Sequence, residues 1–206
     1  MIAREGTPLI LTFAGGAMIG FFIHAALFFL FSFLFILTVL FFRDPDRKIF
    51  SSPNGVLSPA DGRIIGIEAM NKAPYLLGAC TKISIFLSLG DVHVNRSPIG
   101  GRIDFLKYSP GKFHAAFTDK SSAFNESNWI GIKAPKFTIL MRQIAGAVAR
   151  RIVCTCKEGQ AIQQGERLGL IKFGSGAEVY VPQPFGLRVS IGQKVKAGQT
   201  VLATFS

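Results

Sequence analysis

Ile191-Gly-Gln-Lys-Val-Lys-Ala-Gly198 repeats a pattern that stands earlier in the chain as Glu158-Gly-Gln-Ala-Ile-Gln-Gln-Gly165. Each copy sets Gly-Gln and a closing Gly around one apolar residue, and a strand-like run follows. A second echo lies upstream, where Ser58-Pro-Ala-Asp-Gly-Arg-Ile64 recurs as Ser97-Pro-Ile-Gly-Gly-Arg-Ile103. Together the echoes predict one turn-plus-strand unit used twice in the same fold.

Short β-type stretches punctuated by Gly and Pro surround these units: 62–68, 81–88, 137–142, 151–156, 178–181 and 187–191. Frequent strands with regular turn signals predict a mainly β domain, a sandwich or a barrel. Only 143–150 and 119–125 read as helical, and both are short. The Gly-Gln-x-Val/Ile-x-x-Gly unit is similar in style to the small β-sandwiches that carry biotin or lipoate, which points to a barrel-sandwich architecture. The likeness stops at architecture, because Met70-Asn71-Lys72 does not match the Met-Lys-Met of a biotin carrier.

The N-terminal part is of another kind. From Gly6 to Phe42 there is no Asp, Glu, Lys or Arg, and Phe, Leu and Ile dominate from Leu27 onward. A signal peptide has an apolar region of about 7–15 residues before a small-residue cleavage site. This longer run ends instead in Phe42-Arg-Asp-Pro-Asp-Arg-Lys48, the mark of a retained anchor. As one helix, Leu9 to Phe42 would extend about 50 Å, more than the roughly 30 Å of a hydrocarbon core. A single tilted helix and a re-entrant hairpin both remain open, with Gly15, Gly16, Gly20 and His24 clustered in the first half. The basic flank, and Arg4 at the other end, place the globular part on the cytoplasmic side of the cell membrane. The expected division is an anchor at 1–48 and a β-rich domain at 49–206.

The 206-residue chain carries 23 Lys and Arg against 12 Asp and Glu, a formal charge of +11. On a membrane-bound chain this charge favours anionic lipid head groups, at roughly 1 kcal/mol per basic residue near the surface. Nucleic acid is not the expected partner, because the basic residues are dispersed and form no recognition motif. Cys80, Cys154 and Cys156 form no metal-ligand spacing with His93 or His114, so they read as buried thiols and no metal is expected.

Four places carry chemical potential. Asp61 occupies a Pro/Gly turn directly before a strand, where Asp also serves simply as a turn former. Asp91, His93 and Asn95 share one face if their segment is a strand, and His93 is suited to act as a general base. Asn125-Glu-Ser-Asn128 reads as a polar surface loop. In Gly174-Ser175-Gly176 the flanking glycines permit backbone conformations that a side chain would block, whether for a turn or for a reactive serine.

In order, the chain shows Phe-Phe-Arg-Asp-Pro-Asp-Arg after the apolar run, Ser-Pro-Ala-Asp-Gly, and Phe-Leu-Ser-x-x-Asp-Val-His-Val-Asn-Arg-x-Pro-x-x-Gly. It then shows Asn-Glu-x-Asn, Gly-Glu-Arg-x-Gly-x-Ile, and Phe-Gly-Ser-x-x-x-Val-Tyr-Val-Pro. This series closely resembles the short, archaeal or bacterial-type form of the phosphatidylserine decarboxylase proenzymes over nearly the whole chain. The resemblance implies self-cleavage at Gly174-Ser175 into chains 1–174 and 175–206, with former Ser175 becoming a pyruvoyl cofactor. That group would form a Schiff base with phosphatidylserine and release phosphatidylethanolamine and carbon dioxide. It implies Ser175 as nucleophile, His93 as base or acid, and Asp61 in support of His93 or of self-cleavage. Arg96 and Asn125 are the candidates for substrate contact. The partners it implies are phosphatidylserine in the bilayer, the anionic membrane surface, and the two chains of one precursor.

Four positions depart from the family pattern that the resemblance implies. Arg96 stands where longer members have a second histidine, so His93 serves maturation, decarboxylation or both. Gly176 and Glu178 replace a basic residue and an Asp, and Ser127 replaces the Arg of Asn-Glu-Arg-Asn. Two other readings of the chain are a membrane-tethered biotinyl- or lipoyl-like binding module, and a serine hydrolase using Ser175, His93 and Asp61. The hydrolase lacks a Gly-x-Ser-x-Gly elbow, since Phe173 and Ala177 occupy the outer positions.

Overall fold

A computed structural model describes residues 1–50, 52–111, 125–146, 151–172 and 175–205, with Ser175 described by its backbone alone. It divides into two compact units, Met1–Asp46 and Arg47–Ser206. Arg47 and Lys48, expected to end the anchor, thus belong to the second unit, where Asp61 holds Arg47.

In the first unit, α1 (Thr7–Ile23) and α2 (Ala25–Phe41) are broken apart at His24. His24 is extended, with φ −162° and ψ 132°, and its Nδ1 accepts the Ala26 N–H at 3.2 Å, capping α2. The two helices run back along each other. A Cβ at Gly20 would meet the Leu27–Phe28 backbone, and one at Gly16 would meet the Phe31 ring, so small residues allow the close approach. The hairpin is closed by a bridge between Ile2 and Arg43. Of the two forms open to the apolar run, the chain adopts the hairpin. Arg4–Ile23 is long and apolar enough to cross a membrane by length and composition, and Ala25–Phe41 is shorter.

The second unit is built from β1 (Gly55–Leu57), β2 (Gly62–Met70), β3 (Cys80–Leu87), β4 (Val94–Arg96), β5 (Gly101–Ser109), β6 (Ser127–Lys133) and β7 (Thr138–Ala145). It continues with β8 (Arg151–Cys154), β9 (Ala161–Ile162), β10 (Arg167–Lys172), β11 (Ser175–Pro182), β12 (Phe185–Leu187), β13 (Lys194–Val195) and β14 (Val201–Phe205). An eight-stranded sheet has the order β13-β2-β3-β11-β7-β6-β5-β9, and two three-stranded sheets have the orders β1-β14-β12 and β4-β10-β8. The mainly β, barrel-sandwich-like architecture is the one the glycine pattern predicts.

The strand orders contain the same set twice. From its edges inward the large sheet reads β13-β2-β3-β11 and β9-β5-β6-β7, and the small sheets match as β1-β14-β12 and β4-β10-β8. One copy is the continuous run β4–β10, and the other is β1–β3 completed by β11–β14. The echoes occupy equivalent places in them. Gly165 donates to Ser97 O and Gly198 to Ser58 O, both at 2.8 Å, while Ser97 Oγ and Ser58 Oγ each close a turn onto the carbonyl two residues on at 2.7 Å. The closing glycines Gly165 and Gly198 have φ of 78° and 72°. A Cβ on either one would strike Ile49, which sits between the two copies.

The main core cluster among the described residues includes Ile64, Ile83, Ile85, Ile103, Ile130, Ile139, Val179 and Leu202, and smaller clusters form around Leu140 with Tyr180 and around Ala145 with Ile171. The helix expected at 143–150 is not formed at its start, because Gln143–Ala145 continue β7. Gln143 pairs with Asn128 on one side and Ala177 on the other, and two ladders outweigh a local helical preference. The rest of that stretch from 147, and the helix expected at 119–125 apart from Asn125, lie outside the described residues.

Gly165→Ala forces a side chain into the left-handed region and displaces Ile49, and should cost about 1–2 kcal/mol. The expected fall in melting temperature is roughly 2–8 °C. Gly100→Ala, where a Cβ makes only ordinary contact at 3.4 Å, is the control and should change it little.

Candidate active site

The chain passes between the two copies twice, from β3 to β4 through 88–93 and from β10 to β11 through 173–174. These crossings are brought together. Ser175, the first residue of β11, pairs with Leu87, the last of β3, and on its other side with Ala145, the last of β7. On the opposite flank the Ile171 N–H donates to the His93 carbonyl at 3.2 Å, extending the β10–β4 pairing toward the corner. Phe173 and Gly174 lie outside the described residues, but the strands on both sides of them are tied to the loop that carries His93.

His93 is fully buried, and its Nδ1 lies 2.9 Å from the Asp91 carbonyl oxygen. A carbonyl only accepts, so Nδ1 carries the proton, and in the neutral ring Nε2 is the basic nitrogen. Asp91 does not share a strand face with His93, because the strand starts only at Val94. Its carboxylate instead accepts from Ser88 N at 2.8 Å and Ser88 Oγ at 2.6 Å, closing the turn that presents the carbonyl to the ring. Asn95, also fully buried, accepts from Gln143 Nε2 at 2.8 Å, and Gln143 in turn accepts from Asn128 Nδ2 at 3.0 Å. Asn95 Nδ2 is buried without a hydrogen-bond partner among the described residues. Leaving such a buried donor unpaired costs about 1–3 kcal/mol.

A family model described as phosphatidylserine decarboxylase matches residues 34–203. Among curated relatives, the phosphatidylserine decarboxylase proenzyme of Desulfotalea psychrophila is 42% identical, covering 98% of this chain and 95% of its own length. That of Burkholderia lata is 45% identical over the same shares, and that of Carboxydothermus hydrogenoformans is 44% identical over 91% of this chain and 86% of its own. The chain belongs to the phosphatidylserine decarboxylase family. Its relatives are decarboxylases by name, and it is an enzyme of that class.

Within this family member, Asp61 is committed elsewhere than to His93. Arg47 grips both carboxylate oxygens at 2.6 and 2.7 Å, and the Ala197 N–H donates to Oδ1 at 2.8 Å. Among the described residues no hydrogen bond joins Asp61 to His93. Arg96 Nη1 donates to the Gly165 carbonyl at 3.2 Å, and Asn125 Nδ2 to the Ala145 carbonyl at 2.7 Å, fixing the residue that Ser175 faces across the ladder. Asn125–Asn128 is not the surface loop its polarity suggests. All four residues are buried, because Ser127 and Asn128 already belong to β6 and Glu126 Oε1 accepts the Ile152 N–H at 3.3 Å.

The β7–β11 ladder that starts at this corner also carries buried polar residues whose sequence context gives no hint of them. Arg142 and Glu178 stand directly opposite in the β7–β11 ladder and form a buried pair at 3.5 Å. Tyr180 donates to Glu178 at 2.8 Å, and burial followed by the Glu178 charge pushes its hydroxyl well above the usual tyrosine range. The Arg142 guanidinium lies 4.5 Å from the centre of the Trp129 ring and donates to Ser127 Oγ at 3.1 Å. A guanidinium is thus brought against Ser127 from the neighbouring strand. Gln143 was hidden by its helical context, and the Arg142–Glu178 pair by the long separation of its strands.

Asp61→Ala should leave Arg47 buried without its counter-charge and cost about 3–5 kcal/mol. The paired replacement Arg47→Met with Asp61→Leu should recover most of that loss in denaturant unfolding. A stable Asp61→Ala protein that fails only in chemistry would assign Asp61 to the reaction instead.

Proposed function

We propose that this chain is a self-processing precursor that cleaves between Gly174 and Ser175 and then decarboxylates phosphatidylserine to phosphatidylethanolamine. The observation that carries this reading is the meeting of both inter-copy crossings at one corner, the His93 loop on one side and the start of β11 on the other. A serine hydroxyl is a poor nucleophile until a base takes its proton. His93, with Nδ1 held by Asp91 O, has Nε2 for that proton. The Ser175 Oγ attacks the Gly174 carbonyl, the peptide bond becomes an ester, and β-elimination frees residues 1–174 with a carboxylate. The downstream residue loses ammonia on hydrolysis and is left as the pyruvoyl end of chain 175–206.

The fold suits such a cut. β11 is paired with β3 and β7, and β10 with β4 and β8, so cleavage between them removes no strand and leaves the new terminus in register. The pyruvoyl group supplies an electrophilic carbonyl and an electron sink for the charge left as carbon dioxide departs. In this reading His93 returns a proton to the substrate carbon, and Asn95 Nδ2 donates to a substrate oxygen. Asn125 and Asp61 act as positioning residues, the first through Ala145 and the second through Arg47 and Ala197. The apolar hairpin and the +11 charge support placement against an anionic bilayer on its cytoplasmic face, where the substrate head group lies.

Denaturing mass analysis of the purified protein should give two chains, 1–174 and 175–206, the second with a blocked N-terminus. Ser175→Ala should run as one uncut, inactive chain, and His93→Ala should slow carbon dioxide release about 10²–10⁴-fold. An intact wild-type chain, or a fragment beginning at 175 from Ser175→Ala, would overturn the proposal. In the first case the adaptor-like binding module is favoured, or the hydrolase if the uncut chain has esterase activity.

A further inference from the structure

Cys154 ends β8, and Cys156 follows two residues later with its Sγ 3.1 Å from that of Cys154. Cys154 is half-buried and Cys156 is buried in the main core. A disulfide has its sulfurs about 2.05 Å apart, so an approach of about 1 Å would join them. The pair is also wired to the site. Cys154 stands level in the β8–β10–β4 sheet with Asn95, whose Oδ1 accepts from Gln143, the residue that accepts from Asn128. Gly169 of β10 separates them, pairing with Cys154 on one side and with Asn95 on the other.

We propose that Cys154 and Cys156 are a reversible redox pair, oxidised by hydroperoxides to an intrachain disulfide that pulls the end of β8 out of line with Gly169 and, through it, Asn95, and slows decarboxylation. The loss of rate rests on the function proposed above, whereas formation of the bridge does not. The Cys154 thiolate attacks one peroxide oxygen, the O–O bond breaks, and an alcohol or water leaves, giving a sulfenic acid. The Cys156 sulfur then attacks the Cys154 sulfur, and the hydroxyl departs as water with the Cys156 proton. Two thiols are oxidised by two electrons in all, and the peroxide is reduced to an alcohol and water. A dithiol reductant reverses the change by exchange.

The order of attack follows from the surroundings. The hydrogen bond from Cys156, aided by Asn128 and opposed by burial, draws the Cys154 thiol down to about 7, while the same contact and burial push Cys156 up. Cys154 is thus the attacking sulfur and Cys156 the resolving one. A bridge across one intervening residue closes a small ring, which groups it with labile disulfides rather than structural ones. In a reducing compartment such a bridge is transient, as a regulatory bond must be.

Both cysteines fall in one tryptic peptide, Ile152–Lys157. After hydrogen peroxide treatment of the full-length processed protein and alkylation under denaturing conditions, this peptide should be unalkylated and lighter by two hydrogens. Dithiothreitol should restore both alkylation sites. Cys156→Ser should stop at a Cys154 sulfenic acid that dimedone traps. Carbon dioxide release from phosphatidylserine in mixed micelles should fall several-fold with bridging and recover on reduction. The Cys154→Ser, Cys156→Ser double variant should keep its own untreated rate under the same peroxide. Two free thiols after peroxide, or over-oxidised Cys154 without a bridge, would overturn the pair, and a bridge without a change in rate would overturn its regulatory role. A bridge in a protein that never decarboxylates would support the pair while refuting the function proposed above.

Discussion

Ser175–Pro182 pairs along its whole length with Cys80–Leu87 and, over Ser175–Tyr180, with Leu140–Ala145. This double ladder joins the two copies of the repeated strand set, since β11 belongs to one copy and β7 to the other. It also brings together the two places where the chain crosses between copies, the corner proposed above for self-cleavage. Backbone hydrogen bonds on both sides hold the first residue of β11 without help from the segment before it. The proposed cut would need that property, because the remaining terminus would have to stay in place.

Around the ladder, polar groups are buried in a way that costs stability unless each has a partner. Asp61 with Arg47, and Arg142 with Glu178, Tyr180 and Ser127, are nearly withdrawn from water yet paired. Buried pairs of this kind contribute little net stability over apolar residues of the same volume, but they penalise any arrangement that separates them. Arg142 and Glu178 meet only if β7 and β11 are in their observed register. Asn95 Nδ2 departs from this economy, and it stands two residues from His93.

Much of the β domain was legible because its signals are local. Glycines at the closing turns adopt positive φ whatever surrounds them, so the echoes of 158–165 and 191–198 reported a repeated unit directly. Strand alternation did the same for β2, β3 and β11. The apolar run declared a membrane-type segment but left open its fold, because Gly16, Gly20 and His24 suit both a bent span and a hairpin until the packing of Phe31 and Phe28 is known. Gln143–Ala145 looks helical in sequence yet forms a strand, since a strand paired on both sides needs no alternation of its own. Asn125–Asn128 looks exposed yet is buried, since polarity marks surface only when no polar partner waits inside.

The sequence by itself determined the turn-and-strand units, the apolar N-terminal segment, the basic charge and the order of motifs that resembles the decarboxylase family. Each of these is a property of neighbouring residues. Only the tertiary structure decided that Arg47 pairs with Asp61, that Arg142 brings a guanidinium to Ser127, and that Cys154 lies level with Asn95 across Gly169. Those meetings depend on pairings between strands far apart in the chain. The cost of burying a polar atom selects its partner from whatever the fold brings within about 3 Å, and no local pattern records that choice.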